Sequence, residues 1–380
     1  MMTTQITAQE AAANVSKGKA PMPVPGVLTL APYKQGKISI DGVVDAIKLS
    51  SNESMAGPSP LALEAYIRAG KEGLHLYPDG SQRALRAAIG ETFSLDPAQI
   101  VCGNGSDELI QLLIRAYVAP DDEVIISQYS FAMAVVHATA VGAVVVTAPE
   151  PELKPDADAI LERVTPKTRM VVLASPNNPV GQYIGRDELQ RLRAGLPDDV
   201  ILLIDSAYAD YVTEPDYEAG ASLVSAGDNT VMTRTFSKLY GLAGLRIGWM
   251  YAPPAIIDAV QRIRTPFNAS APALAAAEAA VLDVDFAREV RELNNSERAR
   301  IAAETMQLGF NFIPSFANFY LIQFPDPRRS AADAAAWLEG NGIIPRPVNA
   351  GGPAGCLRIS VGLPEHNSRV IAALQSFARS

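Results

Sequence analysis

From about residue 61, apolar side chains along the chain alternate between two spacings. Apolar positions three and four residues apart predict amphipathic helices, and short continuous apolar runs predict strands covered on both faces. The predicted helices are Leu61–Arg68, Gln82–Phe93, Ser106–Tyr117, Phe131–Val141, Asp156–Arg163, Arg186–Arg193 and Pro254–Arg264. The predicted strands are Ile100–Cys102, Glu123–Ser127, Ala143–Val146, Met170–Ala174, Val200–Asp205, Thr230–Thr235 and Leu245–Met250. This alternation predicts an α/β fold, with a three-layer α/β/α large domain around a mostly parallel seven-stranded sheet.

The pattern changes after about residue 270, which indicates a second, smaller α+β domain at the C-terminus. An alanine-rich helical stretch runs to roughly Leu308. The elements predicted after it are strand Asn318–Phe324, helix Ala331–Gly340, a strand-like segment Gly342–Arg346, strand Cys356–Val361 and helix Glu365–Ala378. The proline-rich segment Pro21–Pro32 predicts an extended arm without helix. We therefore expect an N-terminal arm over 1–45, a large domain over 46–275 and a small domain over 276–380.

Composition and charge narrow the class of protein. Hydrophobic side chains make up 48% of the 380 residues and charged ones 19%, which is typical of a folded globular protein. The net charge of −9 gives no overall positive field for nucleic acid or an anionic membrane. The longest apolar stretch, around Pro272 to Val284, contains two acidic residues and is too short to span a bilayer. Since the first forty residues do not resemble a signal peptide, we expect a cytoplasmic protein.

Cysteine and histidine usage argues against a metal centre. The two cysteines, Cys102 and Cys356, form no CxxC pair, and the three histidines lie far apart without HExxH spacing. Isolated histidines of this kind are more often surface or packing residues than ligands. We therefore assign no metal, and the low cysteine content is typical of a reducing compartment.

A glycine turn, Gly103-Asn104-Gly105, follows the first predicted strand. It begins like a dinucleotide-binding GxGxxG motif, but Glu108 stands in place of the third glycine and no Walker lysine follows. Ser106 or Asp107 can cap the next helix, whose free backbone N–H groups would face an anion. An ordinary turn between strand and helix explains the segment equally well, so both interpretations stay open.

Polar segments stand at the ends of three other predicted strands. Lys238, flanked by Ser237, lies just past one strand and is followed by three glycines and an arginine. A lysine in a polar cleft can form a Schiff base with an aldehyde cofactor. Asp205 ends another strand, where a carboxylate suits pairing with a protonated ring nitrogen, and Asn178 lies in the turn after a third. Because the carboxyl ends of parallel strands meet at one edge of a sheet, we expect these groups to converge.

These segments carry a resemblance to a known family. The order SPNNPVG at 175–181, DSAY at 205–208 and TFSKLYGLAGLRIGW at 235–249 resembles the pyridoxal-phosphate aminotransferases of the aspartate aminotransferase fold. The resemblance covers nearly the whole chain, and within that superfamily the chain is most similar to the histidinol-phosphate aminotransferases. Other motifs that carry it are Pro32-Tyr33, Ser51-Asn52-Glu53, Leu76-Tyr77-Pro78, Gly105-Ser106-Asp107-Glu108, Gly342–Pro347 and Leu357–Gly362.

The resemblance implies pyridoxal 5'-phosphate as the cofactor. Lys238 would then be the Schiff-base lysine and proton carrier, and Asp205 would keep the ring nitrogen protonated. Asn178 and Tyr208 would hydrogen-bond the phenolic oxygen of the ring. The groups that would hold the cofactor phosphate are the backbone N–H groups of Ser106 and Asp107 and the side chains of Ser237 and Arg246. Tyr77 would reach that phosphate from the neighbouring subunit, which implies a homodimer with a shared site.

One segment departs from the family pattern. The family usually stacks an aromatic ring on the cofactor within a Pro-x-Tyr turn after a strand, whereas this chain has Ser127–Phe131 there. We align Phe131 with the stacking ring, and Tyr129 is the second candidate. Both rings could instead belong to the core.

The resemblance also implies a substrate site for a small-molecule amino donor and a 2-oxo acid. Arg358 and Arg346 would hold anionic substrate groups, assisted by Tyr33, Asn52 and Asn178. The implied reaction is ping-pong transamination between histidinol phosphate and 2-oxoglutarate. Aromatic amino-acid aminotransferases and threonine-phosphate decarboxylases are related alternatives, because two arginines would serve their substrates too. A non-catalytic protein of the same fold is a further alternative, against which the intact lysine and aspartate argue.

Overall fold

The computed structural model describes residues 21–33, 35–348 and 351–379. Its helices are α1 Pro25–Leu28, α2 Pro60–Gly73, α3 Arg83–Phe93, α4 Gly105–Tyr117, α5 Ala132–Ala140, α6 Ala157–Leu161, α7 Arg186–Gly195, α8 Ala221–Ala226, α9 Pro254–Ile263, α10 Ala271–Leu282, α11 Val284–Met306, α12 Ala331–Gly340 and α13 Pro364–Arg379. Its strands are β1 Ile47–Lys48, β2 Ile100–Gly103, β3 Glu123–Ser127, β4 Val144–Ala148, β5 Thr168–Ala174, β6 Ile201–Asp205, β7 Thr230–Thr235, β8 Gly248–Tyr251, β9 Asn311–Ile313, β10 Phe319–Gln323, β11 Ile343–Ile344, β12 Arg346–Pro347 and β13 Cys356–Ser360. Within these ranges, no helix combines the length and apolar composition needed to cross a bilayer.

The predicted seven-stranded sheet is confirmed. Its strands lie in the order β2-β8-β7-β6-β5-β3-β4, and β8 runs antiparallel to both of its neighbours while the other pairs are parallel. Met170 and Val172 of β5 pack into a core with α4, α5 and α9. Val171 and Leu173 point to the other face, where they pack with α6 and α7. Helices on both faces bury both sets of side chains, which explains why the strands read as continuous apolar runs.

The register of the sheet brings the ends of its strands together. Ala174 at the end of β5 pairs with Asp205, Asp205 pairs with Thr233 of β7, and Thr235 pairs with Gly248. Gly248 also pairs with the last residue of β2. The segments that follow β2, β5, β6 and β7 therefore start from one edge of the sheet.

A smaller α+β unit follows the large sheet, as the sequence predicts. Its four antiparallel strands lie in the order β12-β13-β10-β9, and its core includes side chains from α11, α12 and α13. The short strand β1 pairs in parallel with β11, so that Ile47 and Leu49 are buried in the same core. The sequence pattern did not reveal β1 or β9, which are only two and three residues long. The domain boundaries at 45 and 275 stay predictions.

Three predicted elements differ from the structure. The proline-rich arm contains one helical turn, α1, because Pro25 stands at the first helical position, where its missing N–H is not needed. The long alanine-rich helix is two helices, since Asp283 ends α10 and caps the N-terminus of α11. Strand β8 begins at Gly248 and not at Leu245, because Ala243–Leu245 forms a short 3-10 helix.

Candidate active site

The segments after β2, β5, β6 and β7 enclose a cavity of about 150 Å³. Of the ten residues expected to bind the cofactor, nine line it: Ser106, Asp107, Phe131, Asn178, Asp205, Tyr208, Ser237, Lys238 and Arg246. They come from distant parts of the chain and meet because parallel strands end at one edge of the sheet. The structure thus places these side chains together, while their individual roles stay predictions.

Lys238 lies three residues beyond the end of β7 and lines this cavity. Its Nζ lies 3.4 Å from the carbonyl oxygen of Ser51 and 3.3 Å from that of Asn52. The same amine lies 5.5 Å from the centre of the Tyr208 ring. Two carbonyls and an aromatic face therefore hold the amine in one place, as expected of a lysine that reacts inside a pocket.

Asp205, at the end of β6, supplies one of the two carboxylates that line the cavity, and Asp107 supplies the other. The Thr233 hydroxyl donates a hydrogen bond to Oδ1 of Asp205 at 3.2 Å. Burial raises the pKa of Asp205 from 3.8 to about 6, the nearby Asp107 carboxylate adds to this rise, and the Thr233 hydrogen bond opposes it. Because burial destabilises the charged form of this carboxylate, a cationic partner such as a protonated ring nitrogen would stabilise it.

The N-terminus of α4 forms a positively charged end of the cavity. Gly105 begins this helix at φ +80°, and a Cβ there would lie 2.8 Å from the Arg246 guanidinium. Arg246 itself has φ 51° and donates to the Ser237 hydroxyl at 3.2 Å. A Cβ on Gly248 would lie 2.5 Å from the backbone nitrogen of Ser106, so only glycine lets the turn approach β8 this closely. Free N–H groups beside a guanidinium suit a phosphate.

Asn52 is buried and supports Tyr208 from behind the cavity. Its backbone has φ 57°, and its Nδ2 donates to the Tyr208 hydroxyl at 3.0 Å. The Ser360 hydroxyl donates to Oδ1 of Asn52 at 3.2 Å. Both polar atoms of the Asn52 side chain thus bond to the protein, and Asn52 orients Tyr208. Asn52 also lines a second cavity, which adjoins the first.

A second cavity of about 340 Å³ adjoins the first and shares Phe131, Asn178 and Lys238 with it. The residues of the predicted substrate site that line it are Tyr33, Asn52, Asn178, Arg346 and Arg358. Arg346 and Arg358 are cross-strand neighbours on β12 and β13. This cavity therefore places two guanidinium groups across from Lys238.

One nitrogen of the Arg358 guanidinium has no hydrogen-bond partner among the described residues. Its Nη1 donates to Oδ1 of Asn178 at 2.5 Å, and its Nη2 donates to the carbonyl of Ser50 at 2.8 Å. Its Nε is buried and has no hydrogen-bond partner among the residues that the structure describes. Burial also lowers the pKa of Arg358. A buried unsatisfied donor favours a bound acceptor, such as a carboxylate or phosphate oxygen.

The structure distinguishes the two candidates for a stacking ring. Phe131, just before α5, lines both cavities. Tyr129 packs instead against a small apolar cluster that contains Val180, Leu321 and Cys356. Of these two candidates, Phe131 is therefore the one that is available to a ligand in the smaller cavity.

Two neighbours of the site gave no signal in the sequence. Thr233 reaches Asp205 because β6 and β7 pair in this particular register. His137 on α5 places its Nε2 3.2 Å from Oδ1 of Asp107, since α5 packs against α4. Such contacts depend on how separate elements pack, and residue spacing along the chain does not reveal them.

Comparisons with known proteins agree with this layout. The sequence model of the family described as aminotransferase class I and II matches residues 44–374. The histidinol-phosphate aminotransferase of Rhodospirillum centenum is 48% identical over 354 residues, which are 93% of this chain and 98% of that protein. The histidinol-phosphate aminotransferase of Paramagnetospirillum magneticum is 46% identical over 359 residues, 94% of this chain and 99% of that protein.

A solved structure resembles the fold over most of its length. The crystal structure of histidinol-phosphate aminotransferase from Sinorhizobium meliloti in complex with pyridoxal-5'-phosphate has a TM-score of 0.81 at 29% identity. The match covers 88% of this chain and 91% of that one. On the sequence matches and this structural likeness together, the chain belongs to the class I and II aminotransferases.

Proposed function

We propose that this chain transfers the amino group of histidinol phosphate to 2-oxoglutarate, forming imidazole acetol phosphate and glutamate, with pyridoxal 5'-phosphate as cofactor. The observation that carries the proposal is the pair of adjoining cavities that meet at Lys238. The smaller cavity contains the Asp205 carboxylate and the N-terminus of α4 beside Arg246, and the larger one contains two arginines. The names of the relatives at 46–48% identity support the same reaction. We also propose that the enzyme acts in histidine biosynthesis and in the cytoplasm.

The smaller cavity fits the cofactor in charge and chemistry. Asp205 would keep a proton on the ring nitrogen, because a cation beside this buried carboxylate offsets its cost of burial. The N-terminus of α4, with Ser237 and Arg246, would hold the phosphate. When bound, the cofactor supplies an electron sink for the carbanion that forms at the substrate carbon. Lys238 Nζ, held at the junction of the two cavities, would remove and return the proton at that carbon.

The larger cavity fits substrates that carry an anionic group. Arg358 lines this cavity, so its guanidinium can bind a carboxylate or phosphate oxygen of a substrate. Arg346 adds a second guanidinium beside it. Histidinol phosphate has a phosphate, and glutamate and 2-oxoglutarate have a side-chain carboxylate. The same two arginines would thus serve both halves of a ping-pong reaction.

A substrate panel tests the proposed donor. We expect kcat/KM with 2-oxoglutarate to be about 100-fold or more higher for histidinol phosphate than for phenylalanine or tyrosine. Histidinol is the matched control, because it lacks only the phosphate, and we expect a comparable loss with it. A preference for either aromatic amino acid would overturn the proposed donor. Release of CO₂ from a phosphorylated amino acid would indicate a decarboxylase instead.

We further propose a homodimer in which Tyr77 completes the site of the partner. Tyr77 is 82% exposed, stacks on Phe267 and lines neither cavity of its own chain. Large apolar side chains are also exposed on α2 and just after it: Leu61, Leu63, Tyr66, Ile67, Leu74 and Leu76. An apolar surface of this kind is typical of an interface between subunits.

Mixing two inactive variants tests the shared site. Lys238→Ala removes the amine, and Tyr77→Ala removes the group offered to the partner. Unfolded together and refolded, the two chains should regain about a quarter of wild-type activity, since half of the dimers are mixed and one of their two sites is intact. Each variant refolded alone is the control. Activity no higher than the mean of the two controls would contradict the shared site.

A further inference from the structure

Glu150 is a buried carboxyl group outside both cavities. It lies two residues after the end of β4 and is only 4% exposed. Burying a carboxyl group is costly unless hydrogen bonds compensate for the lost water. The contacts of Glu150 therefore indicate which parts of the structure it holds.

On one side, Glu150 holds the loop that carries Asn178. Its Oε2 accepts a hydrogen bond from Nδ2 of the fully buried Asn177 at 2.7 Å. The Oδ1 of Asn177 accepts hydrogen bonds from the backbone N–H groups of Gly181 and Gln182, both at 2.9 Å. Asn177 thus closes the turn, and the next residue, Asn178, lines both cavities and bonds to Arg358.

On the other side, Glu150 contacts the segment that leads to Phe131. Its backbone N–H donates to Oε1 of Gln128 at 3.3 Å. The Ser127 hydroxyl and the Tyr129 backbone N–H lie near enough to the carboxyl group to lower its pKa, although its buried Oε1 has no hydrogen-bond partner among the described residues. Ser127 in turn lies 3.0 Å from Ser130, oxygen to oxygen. Glu150 therefore lies between the segments after β3 and β5.

We propose that Glu150 is a positioning residue, which holds the 127–131 and 175–181 segments together and so orients Phe131 and Asn178 at the cavities. The inference rests on the proposed function, since these two side chains matter only if a cofactor and a substrate bind there. Asp205 ends β6 and Lys238 follows β7, so neither residue lies in the two bridged segments.

The protonation state of Glu150 indicates which substitution preserves the bridge. Burial raises its pKa to about 8, and the nearby Ser127 hydroxyl, the Tyr129 backbone N–H and the Asn177 hydrogen bond act in the opposite direction. The raised pKa favours the neutral form of the carboxyl group. Glutamine has the same shape, is neutral and retains an oxygen that can accept from Asn177. Leucine has a similar volume but no acceptor.

Cofactor titration of Glu150→Leu tests the role. We expect its Kd for pyridoxal 5'-phosphate, from quenching of tryptophan fluorescence, to rise about tenfold or more, as for loss of a buried hydrogen bond. KM for histidinol phosphate should rise in parallel, while kcat at saturation should change less than about threefold. Glu150→Gln should restore both Kd and KM to near the wild-type values.

Glu297→Leu is the matched control. Glu297 is 8% exposed, accepts from Nδ2 of Asn367 at 2.8 Å and lines neither cavity. The Glu297→Leu variant should have a lower unfolding temperature than the wild type but the same Kd for pyridoxal 5'-phosphate. A wild-type Kd and KM in Glu150→Leu would overturn the inference. If that variant does not fold, Asn177→Asp decides instead: it loses the donor to Glu150, and a wild-type Kd there would overturn the inference equally.

Failure of the inference can be told apart from failure of the proposed function. If the wild-type protein does not bind pyridoxal 5'-phosphate, the proposed function itself is wrong. If the wild-type protein binds it and the Glu150 variants bind it equally well, only the positioning role is wrong.

Discussion

Replacing Lys238 with alanine is expected to lower kcat by about 10⁴-fold or more, the upper end of the range for loss of a positioned acid–base group. Lys238 lines both cavities, and among the described residues that line them it is the only lysine. Its Nζ lies within hydrogen-bond distance of the carbonyls of Ser51 and Asn52, at the junction of the two cavities. Steady-state rates of amino transfer measure the effect.

The control for this variant is Lys167→Ala. Lys167 is an exposed lysine just before β5, at the edge of the sheet opposite the cavities. Its removal should leave kcat unchanged. We also expect the visible absorption band of the bound cofactor, which borohydride should bleach in the wild type, to be absent or shifted in Lys238→Ala. An alanine variant with wild-type kcat would show that the chemistry takes place elsewhere.

Replacing Asp205 with asparagine is expected to lower kcat by about 10²- to 10³-fold, the usual cost of removing one electrostatic stabiliser from an active site. Asparagine keeps the shape of the side chain but has no negative charge to keep the ring nitrogen protonated. Asp199→Asn is the control, because Asp199 is an exposed carboxylate just before β6, at the far end of that strand. Activity near that of the wild type in Asp205→Asn would contradict the assignment.

The same substitution should stabilise the cofactor-free protein above about pH 6. Burial raises the pKa of Asp205 from 3.8 to about 6 in the folded chain. Below pH 3.8 the Asp205 carboxyl group is protonated in both the folded and the unfolded chain, so its ionisation does not affect the free energy of unfolding. Between pH 3.8 and about 6, Asp205 ionises in the unfolded chain before it ionises in the folded chain, so the free energy of unfolding of the wild type falls. Above about pH 6 the group is ionised in both states, and the loss of stability stays constant.

Urea unfolding of the cofactor-free proteins measures this effect. Each pKa unit corresponds to about 1.4 kcal/mol, so Asp205→Asn should gain up to about 3 kcal/mol on the wild type between pH 4 and 7. The Asp199→Asn control should show no such trend. A stability difference that does not change with pH would show that Asp205 is not desolvated in the cofactor-free protein. If Asp205→Asn is both less active and more stable than the wild type, Asp205 contributes to activity at a cost in stability.

Hydrophobic patterning predicted the large sheet because its inner strands are covered on both faces. β5, β6 and β7 have few exposed positions, so their apolar runs stand out from the amphipathic helices between them. The predicted element boundaries were wrong where the local sequence pattern that marks a boundary is weak. The break at Asp283 depends on one capping side chain, and the start of β8 depends on the turn at Ala243–Leu245.

The candidate site was predictable to the extent that its residues follow strand ends. Asn178, Asp205 and Lys238 each stand just after or at the end of a buried strand, and the topology alone brings such positions together. The contacts that surround them were not predictable. Glu150 and Asn177 are separated by 27 residues, and Asn52 and Tyr208 by 156.

By itself, the sequence determined the α/β class, the order of the large-sheet strands along the chain and the chemical groups available at their ends. These follow from local periodicity and residue type, which act over a few neighbouring positions. Only the tertiary structure decided how those groups are oriented. It pairs Asp205 with Thr233, leaves Nε of Arg358 without an acceptor in the described part of the chain, and buries Glu150 between two loops. Such contacts arise from the register and packing of elements far apart in the chain, where hydrogen bonds that cannot be made to water must be made to the protein.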